Sequence, residues 1–409
     1  MGNPTTPVSF SKFFTESQFE TQEERLAVGE RSKSVTIGIP KENPDLENRV
    51  SIVPNSIRTL NGFGHKVVVE SGAGSRSNFS DHDFSEAGAI ISRSKEEVFK
   101  SDIVVKIAPA TLEEISLMHN DKIIISPLQL PSLHQEYFLK LKEKRITALA
   151  MEYLQSEDDS FPIVRIMSEM AGIVAIQTAA EYLNNTNGGR GVLLGGVSGV
   201  PPAKVVILGA GVVGEFATKA AISLGASVRI FDNDISKLMR LQSSVGRPLH
   251  TSAINPVYLA YQLMSADVVI GAMHSRHGRT PIIVTEEMVS KMKEGAVVID
   301  VSIDQGGCIE TSEITTHKSP TFTKHGVIHY CVPNIASKVS RTASVAVSNI
   351  ITPLLIKAGS NINIEQLLYS KAGIRNGCYT YKGCITNEYI SKRFGLKYTS
   401  LDLLLTSKL

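Results

Sequence analysis

The residues best suited to chemistry in this chain are three glycines and a carboxylate. Gly209-Ala210-Gly211-Val212-Val213-Gly214 follows the apolar run VVIL and opens the apolar stretch EFATKAAISLG. Asp232 closes the next apolar run, SVRIFD. Strand, glycine turn, helix, strand and acidic residue make up the full context of a dinucleotide-binding fingerprint, which the glycine spacing alone does not establish. Gly209 permits the tight turn, Gly211 lets the main chain approach a pyrophosphate, and Gly214 lets the helix pack close to its strand. The helix start offers unpaired N–H groups and a positive dipole end to phosphate. Asp232 is placed to accept hydrogen bonds from the adenosine ribose and to repel a 2′-phosphate, so NAD is expected rather than NADP. Lys237, close by, softens that preference.

Other side chains could act on a substrate. Arg49, in ENRVSIVP, carries a planar guanidinium that can grip a carboxylate bidentately and fix the carbon beside it. Asp304 follows the apolar run AVVIDVS and so falls at the carboxyl edge of a sheet, where ligands bind. Asp300 in the same run is its nearest competitor. His274 follows DVVIGA, at the edge where a nicotinamide is expected, and a histidine there can titrate near neutral pH. The glycine-rich stretch 188–199 (GGRGVLLGGVSG) lacks the Gly-Lys-Ser/Thr ending of a phosphate loop, and a hinge or a loop beside the cofactor fits it better.

The elements that must position these residues read as α/β. Short apolar runs at Ser34–Pro40, His65–Glu70, Ile103–Ile107 and Lys122–Ser126 alternate with helical stretches such as Asn55–Phe63. A second unit opens after Met167 with a small-residue helix, Ser168–Asn184, and continues through strands at 205–210, 227–232, 267–272 and 296–302. The first rhythm predicts a parallel sheet in an α/β unit, and the second a doubly wound sheet. The stretch after about Ser340 is a helix long enough to return from one domain to the other. The expected division is an N-terminal extension (1–33), a substrate domain (34–165 with 341–409) and an inserted Rossmann domain for NAD (166–340). The last fifty residues show no readable motif.

Bulk properties exclude several function classes. The chain has 409 residues, 42% of them hydrophobic, with a formal net charge of +2, so neither nucleic acid nor an anionic membrane is an expected partner. No uninterrupted apolar run reaches membrane-spanning length, and the N-terminus lacks the pattern of a secretory signal. Cys308, Cys331, Cys378 and Cys384 form no CxxC pair, and His317, His325 and His329 are spread without metal-ligand spacing, so no metal is expected. A reducing cytoplasm is the simplest compartment.

Several segments make the chain resemble the alanine dehydrogenase family, which includes the NAD-binding part of proton-translocating transhydrogenases. They are GIPKENPDLENRVSIVP, VVVESGAGS, MSEMAG, GGRGVLLGGVSGVPPAKVVILGAGVVG, IDQGGCIETSEITTH and GVIHYCVPNIASKVSRTAS. The resemblance covers about residues 34–358, and IDQGGC and HYCVPN look like the dehydrogenase branch. It implies two Rossmann-like, doubly wound domains, with the NAD domain inserted into a discontinuous substrate domain. It further implies reversible NAD-dependent deamination of L-alanine to pyruvate and ammonia, and a homo-oligomer, usually a hexamer. Arg49 then matches the arginine that holds the substrate carboxylate, Asp304 the aspartate that assists water attack on the imine, Asn334 a residue near nicotinamide and substrate, and Ser168 a cofactor-contacting serine.

Two positions depart from that pattern. The family's substrate lysine is the second of a lysine-x-lysine pair; here Lys106 matches the first and Ala108 stands at the second. Gln129, in PLQLP, stands where the family places a catalytic histidine, and glutamine cannot exchange a proton near neutral pH. Candidates to replace these groups are Lys106, Arg165, His274 and His277. An altered pocket also suits another amino or imino acid, as in a saccharopine-type reaction, or an NAD-binding, transhydrogenase-like protein without deaminase activity.

Overall fold

The computed structural model describes residues 34–275, 278–359 and 364–406. The first sheet begins with β1 (Thr36–Ile39), β2 (Lys66–Glu70), β3 (Ile90–Ser92), β4 (Ile103–Val105), β5 (Ile123–Ser126) and β6 (Thr147–Ala150). These pair in parallel in the order β3-β2-β1-β4-β5-β6. The second sheet holds β7 (Lys204–Leu208), β8 (Ser227–Phe231), β9 (His250–Ser252), β10 (Val268–Gly271), β11 (Val297–Asp300), β12 (Thr321–Lys324) and β13 (Val327–Tyr330). Its parallel core runs β9-β8-β7-β10-β11-β13, with β12 antiparallel at the edge. Both are the strand order of a doubly wound fold, in which ligands bind beyond the carboxyl ends at the switch between the first and fourth strands. The central strands are unbroken Val/Ile runs because helices cover both faces.

Two strands near the end of the chain complete the first sheet. β14 (Cys378–Tyr381) pairs antiparallel with β6, and β15 (Cys384–Ile385) pairs with β14. The two-residue turn between them, Lys382-Gly383, has positive φ at both positions, which is the geometry of a tight hairpin.

Two long helices connect the sheets. The first, Pro162–Tyr182, starts with proline in its first turn, where a missing N–H costs nothing. It crosses the glycine-turn helix Val212–Ser223 at close range. A Cβ on Gly172 would strike the Val213 carbonyl oxygen and lie 2.7 Å from the Ala217 nitrogen, which accounts for the glycine in MSEMAG. The second, Ser340–Gly359, returns the chain to the first sheet. Its Ser344 and Ser348 hydroxyls accept hydrogen bonds from the main-chain N–H groups of Val50 (2.9 Å) and Val53 (3.1 Å), and so anchor the segment that carries Arg49. The stretches Pro162–Tyr182 and Ile335–Ala358 are long and apolar enough to cross a membrane by length and composition alone. Their buried residues are shared among the cores of the two sheets and the small cluster between them.

Candidate functional site

The glycine turn after β7 has the shape that a dinucleotide requires. Gly209 holds a positive φ of 108°, and a side chain there would strike the Ala272 carbonyl at the end of β10. A side chain on Gly214 would collide with the Gly209 carbonyl oxygen, whereas one on Gly211 would enter open space. Gly209 and Gly214 therefore serve packing, and Gly211 leaves room for a ligand against the start of the helix, where Val212 and Val213 form its first turn. Asp232 is buried at the end of β8. Its carboxylate accepts from the Ala210 N–H at 2.7 Å and the Asp234 N–H at 2.8 Å, and Lys237 Nζ stands 4.0 Å away. The acidic residue thus braces the turn. These residues fit a bound NAD.

Across the cleft, Arg49 is buried and paired with Glu47. Arg49 Nε and Nη2 donate to Glu47 Oε1 and Oε2 at 2.8 and 2.7 Å, and Nη1 points to Met167 Sδ at 3.0 Å. Burial alone would raise the Glu47 pKa, but Arg49 beside it and bonds from Arg49 and Ser337 hold it below the ordinary carboxylate value. Met167 adjoins Ser168, which is half-buried on the first connecting helix.

Asn334 joins this pair to the second sheet. It follows β13 in a left-handed conformation, φ 55°. Its Nδ2 donates to Glu47 Oε2 at 2.7 Å, and its main-chain N–H donates to Asp304 Oδ1 at 3.1 Å. Ser337 Oγ adds a bond to Glu47 Oε1 at 2.9 Å. Arg49, Glu47, Asn334 and Asp304 therefore form one connected cluster. Asp304 is open to solvent at the cleft, yet protein crowds its flanks. That desolvation raises its pKa to about 6, against the lowering effects of the Asn334 hydrogen bond and the Arg49 charge. Its neighbour Asp300 is fully occupied within its own loop, accepting from Ser302 and Cys308 N–H groups (both 3.0 Å) and from Ser312 Oγ (2.7 Å).

The remaining candidates are placed differently. Lys106 is buried at the end of β4 between Glu42 (2.8 Å) and Glu114 (3.4 Å). Burial would lower its pKa, but the two carboxylates raise it, so it is a fixed cation. Ala108 lies just beyond, its N–H 3.4 Å from Glu42 Oε1. Gln129 is exposed in a left-handed turn, φ 42°, held by the Leu128 and Gln129 N–H groups on Glu152 Oε1 at 2.7 and 3.3 Å. His274 is exposed beyond β10. Arg165 is exposed and pairs with Glu169 at 3.0 Å. His277 lies outside the described residues. Among the described residues no cluster of His, Cys, Asp and Glu is arranged to hold a metal.

Residues 38–171 match the alanine dehydrogenase/PNT N-terminal domain, and residues 175–388 match the alanine dehydrogenase/PNT C-terminal domain. The chain belongs to the alanine dehydrogenase/PNT family. It is 38% identical over 367 residues to alanine dehydrogenase 2 of Staphylococcus aureus strain USA300, covering 90% of this chain and 98% of that one. A solved L-alanine dehydrogenase superposes with a TM-score of 0.83 at 36% identity, covering 88% of this chain and 99% of that one. A transhydrogenase from Sinorhizobium meliloti superposes with a TM-score of 0.74 at 25% identity, covering 87% and 99%. For this member of the alanine dehydrogenase/PNT family, one residue of the bonded cluster, Glu47, was missed in the sequence. Glu47 carried a usable signal, an acidic residue two places before Arg49. The buried His317 Nε2 has no hydrogen-bond partner among the described residues, and no local pattern in the sequence marks it.

Proposed function

We propose that the chain is an NAD-dependent dehydrogenase that converts L-alanine, water and NAD+ reversibly to pyruvate, ammonium, NADH and a proton. The observation that carries this reading is the Asn334 bridge, which ties the Arg49–Glu47 pair of one sheet to Asp304 of the other. NAD, when bound, supplies the hydride acceptor. Glu47 occupies two guanidinium nitrogens, and Nη1, which turns to the weakly accepting Met167 sulfur at 3.0 Å, is the nitrogen that meets a substrate carboxylate. Asp304, with a pKa of about 6, is ionised at neutral pH and can take a proton from water adding to the imine. Asp232 and Gly211 hold the ribose and the pyrophosphate.

The relatives' names support alanine, and the match runs along nearly their full length. Ala108 and Gln129 favour a second reading, in which the same machinery takes a different amino or imino acid. NADH absorbance with a panel of L-amino acids separates the two: signal with alanine supports the first, and signal only with another amino acid replaces it. The cysteines, all unpaired, suit a reducing cytoplasm. A homo-oligomer, a hexamer by family resemblance, is the proposed assembly, and light scattering on the purified protein tests it.

A further inference from the structure

Building on the dehydrogenase reading, we propose that His317 Nε2 accepts the proton that the substrate's amino group must lose before hydride transfer, a task that Gln129, whose amide is not basic near neutral pH, cannot perform.

The chemistry demands such a group. An α-amino acid carries an ammonium at neutral pH, and hydride leaves Cα only when the neighbouring nitrogen has a free lone pair. Asp304 serves the water. Lys106 is locked between Glu42 and Glu114, and Arg165 is exposed against Glu169. His317 differs from these: its Nε2 is buried and has no hydrogen-bond partner among the described residues. Such a nitrogen is costly to leave unsatisfied, and a substrate N–H would satisfy it.

The turn that carries it is held firmly. Thr316 N–H donates to the Ser319 carbonyl at 3.3 Å, and the Ser319 N–H returns to Thr316 Oγ1 at 3.2 Å. Thr315 is pinned to Cys331 by two bonds, at 3.1 and 3.2 Å, and Cys331 leads directly to Asn334. The charged groups that act on His317 are Glu47, Arg49 and Lys338. The first two are the heart of the cleft, and Lys338 is held by Glu181 at 2.6 Å. An amino acid gripped by Arg49 carries its nitrogen one carbon from the carboxylate, within the field of the charges that also act on His317. Burial lowers the imidazole below its ordinary 6.5, helped by Arg49 and Lys338 and opposed by Glu47, so it waits as the neutral base.

The step balances. Nε2 takes one ammonium proton, the freed pair forms the C=N bond as hydride leaves Cα with its two electrons for NAD+, and the imidazolium later releases its proton to water. In the reverse direction the imidazolium returns that proton to the amine.

The test compares the wild-type protein with His317→Asn. The expected loss in kcat/KM for alanine is about 10²–10⁴-fold, with NADH binding by fluorescence unchanged and the acid limb of the pH profile flattened. Imidazole added to His317→Ala restores part of the rate. In the wild type, the His317 ring nitrogen resonance moves when pyruvate is added to the NADH complex. Variant rates and pH profile equal to wild type overturn the role of His317 and leave the dehydrogenase intact. A loss that comes with weakened NADH binding and an unchanged pH profile assigns His317 a structural part and overturns the proposal. A wild type that oxidises no amino acid overturns both.

Discussion

Glu47 and Arg49 form a buried, bidentate ion pair, with Nε–Oε1 at 2.8 Å and Nη2–Oε2 at 2.7 Å. Glu47 also receives Asn334 and Ser337, while Arg49 Nη1 turns away from Glu47 to the Met167 sulfur. A carboxylate thus orients the guanidinium that is to grip a second carboxylate.

Removing one partner of a buried pair strands the other charge. Glu47→Gln is expected to lower stability by about 3–5 kcal/mol at neutral pH, read by urea unfolding, and to raise KM for the amino acid. The sign with pH follows from Glu47 lying below its ordinary 4.5: its contribution is complete above pH 4.5 and disappears as pH falls through the lower folded value. The gap between wild type and variant therefore closes in acid. A gap that is constant with pH contradicts the pair's assigned role.

Asp304 titrates in the opposite sense. Its pKa rises from 3.8 to about 6 on folding, so its contribution to stability is full below pH 3.8 and is lost as pH rises through about 6. Asp304→Asn removes this slope, and thermal melts at a series of pH values show it. The same variant should lose turnover by about 10²-fold or more while still binding NADH. Unimpaired turnover removes Asp304 from the chemistry.

The glycine turn separates folding from binding. Gly211→Ala points a methyl into open space, so its melting temperature stays at the wild-type value while NAD affinity falls by about tenfold or more, a change of about 1.4 kcal/mol. Gly214→Ala collides with the main chain of Gly209 and lowers stability as well. Equal NAD affinity in Gly211→Ala and wild type contradicts the placement of the pyrophosphate.

Lys106 is expected to act on the fold. Lys106→Met leaves Glu42 and Glu114 buried together, costing about 3–5 kcal/mol at neutral pH. The deficit shrinks in acid, where the two carboxyls can take up protons. Residual activity in the surviving folded fraction keeps the wild-type KM; a large rise in KM instead gives Lys106 a substrate contact.

What was legible in the chain follows from the range of each signal. The NAD turn and its strands are local patterns: spacing fixes three glycines at one turn, and Val/Ile runs mark strands buried on both faces. The site's cohesion is not local. Asn334 meets Glu47 across 287 positions, and Ser337 meets it across 290; no periodicity encodes such a contact. β14 and β15 escaped notice because they are short and turn through Lys382-Gly383, a pair weaker as a hairpin signal than Asn-Gly. His317 gains meaning only once folding brings it under the charges of Glu47 and Arg49.

The central claim is that this cleft moves hydride from the α-carbon of an amino acid to NAD. L-alanine deuterated at Cα, incubated with NAD and the purified protein, tests it directly by mass spectrometry of the reduced cofactor. The account predicts deuterium on the nicotinamide ring, with pyruvate and ammonium formed in equal amounts. Saturable NAD binding with no reduced cofactor from alanine or any other L-amino acid, or reduced cofactor without deuterium, contradicts it.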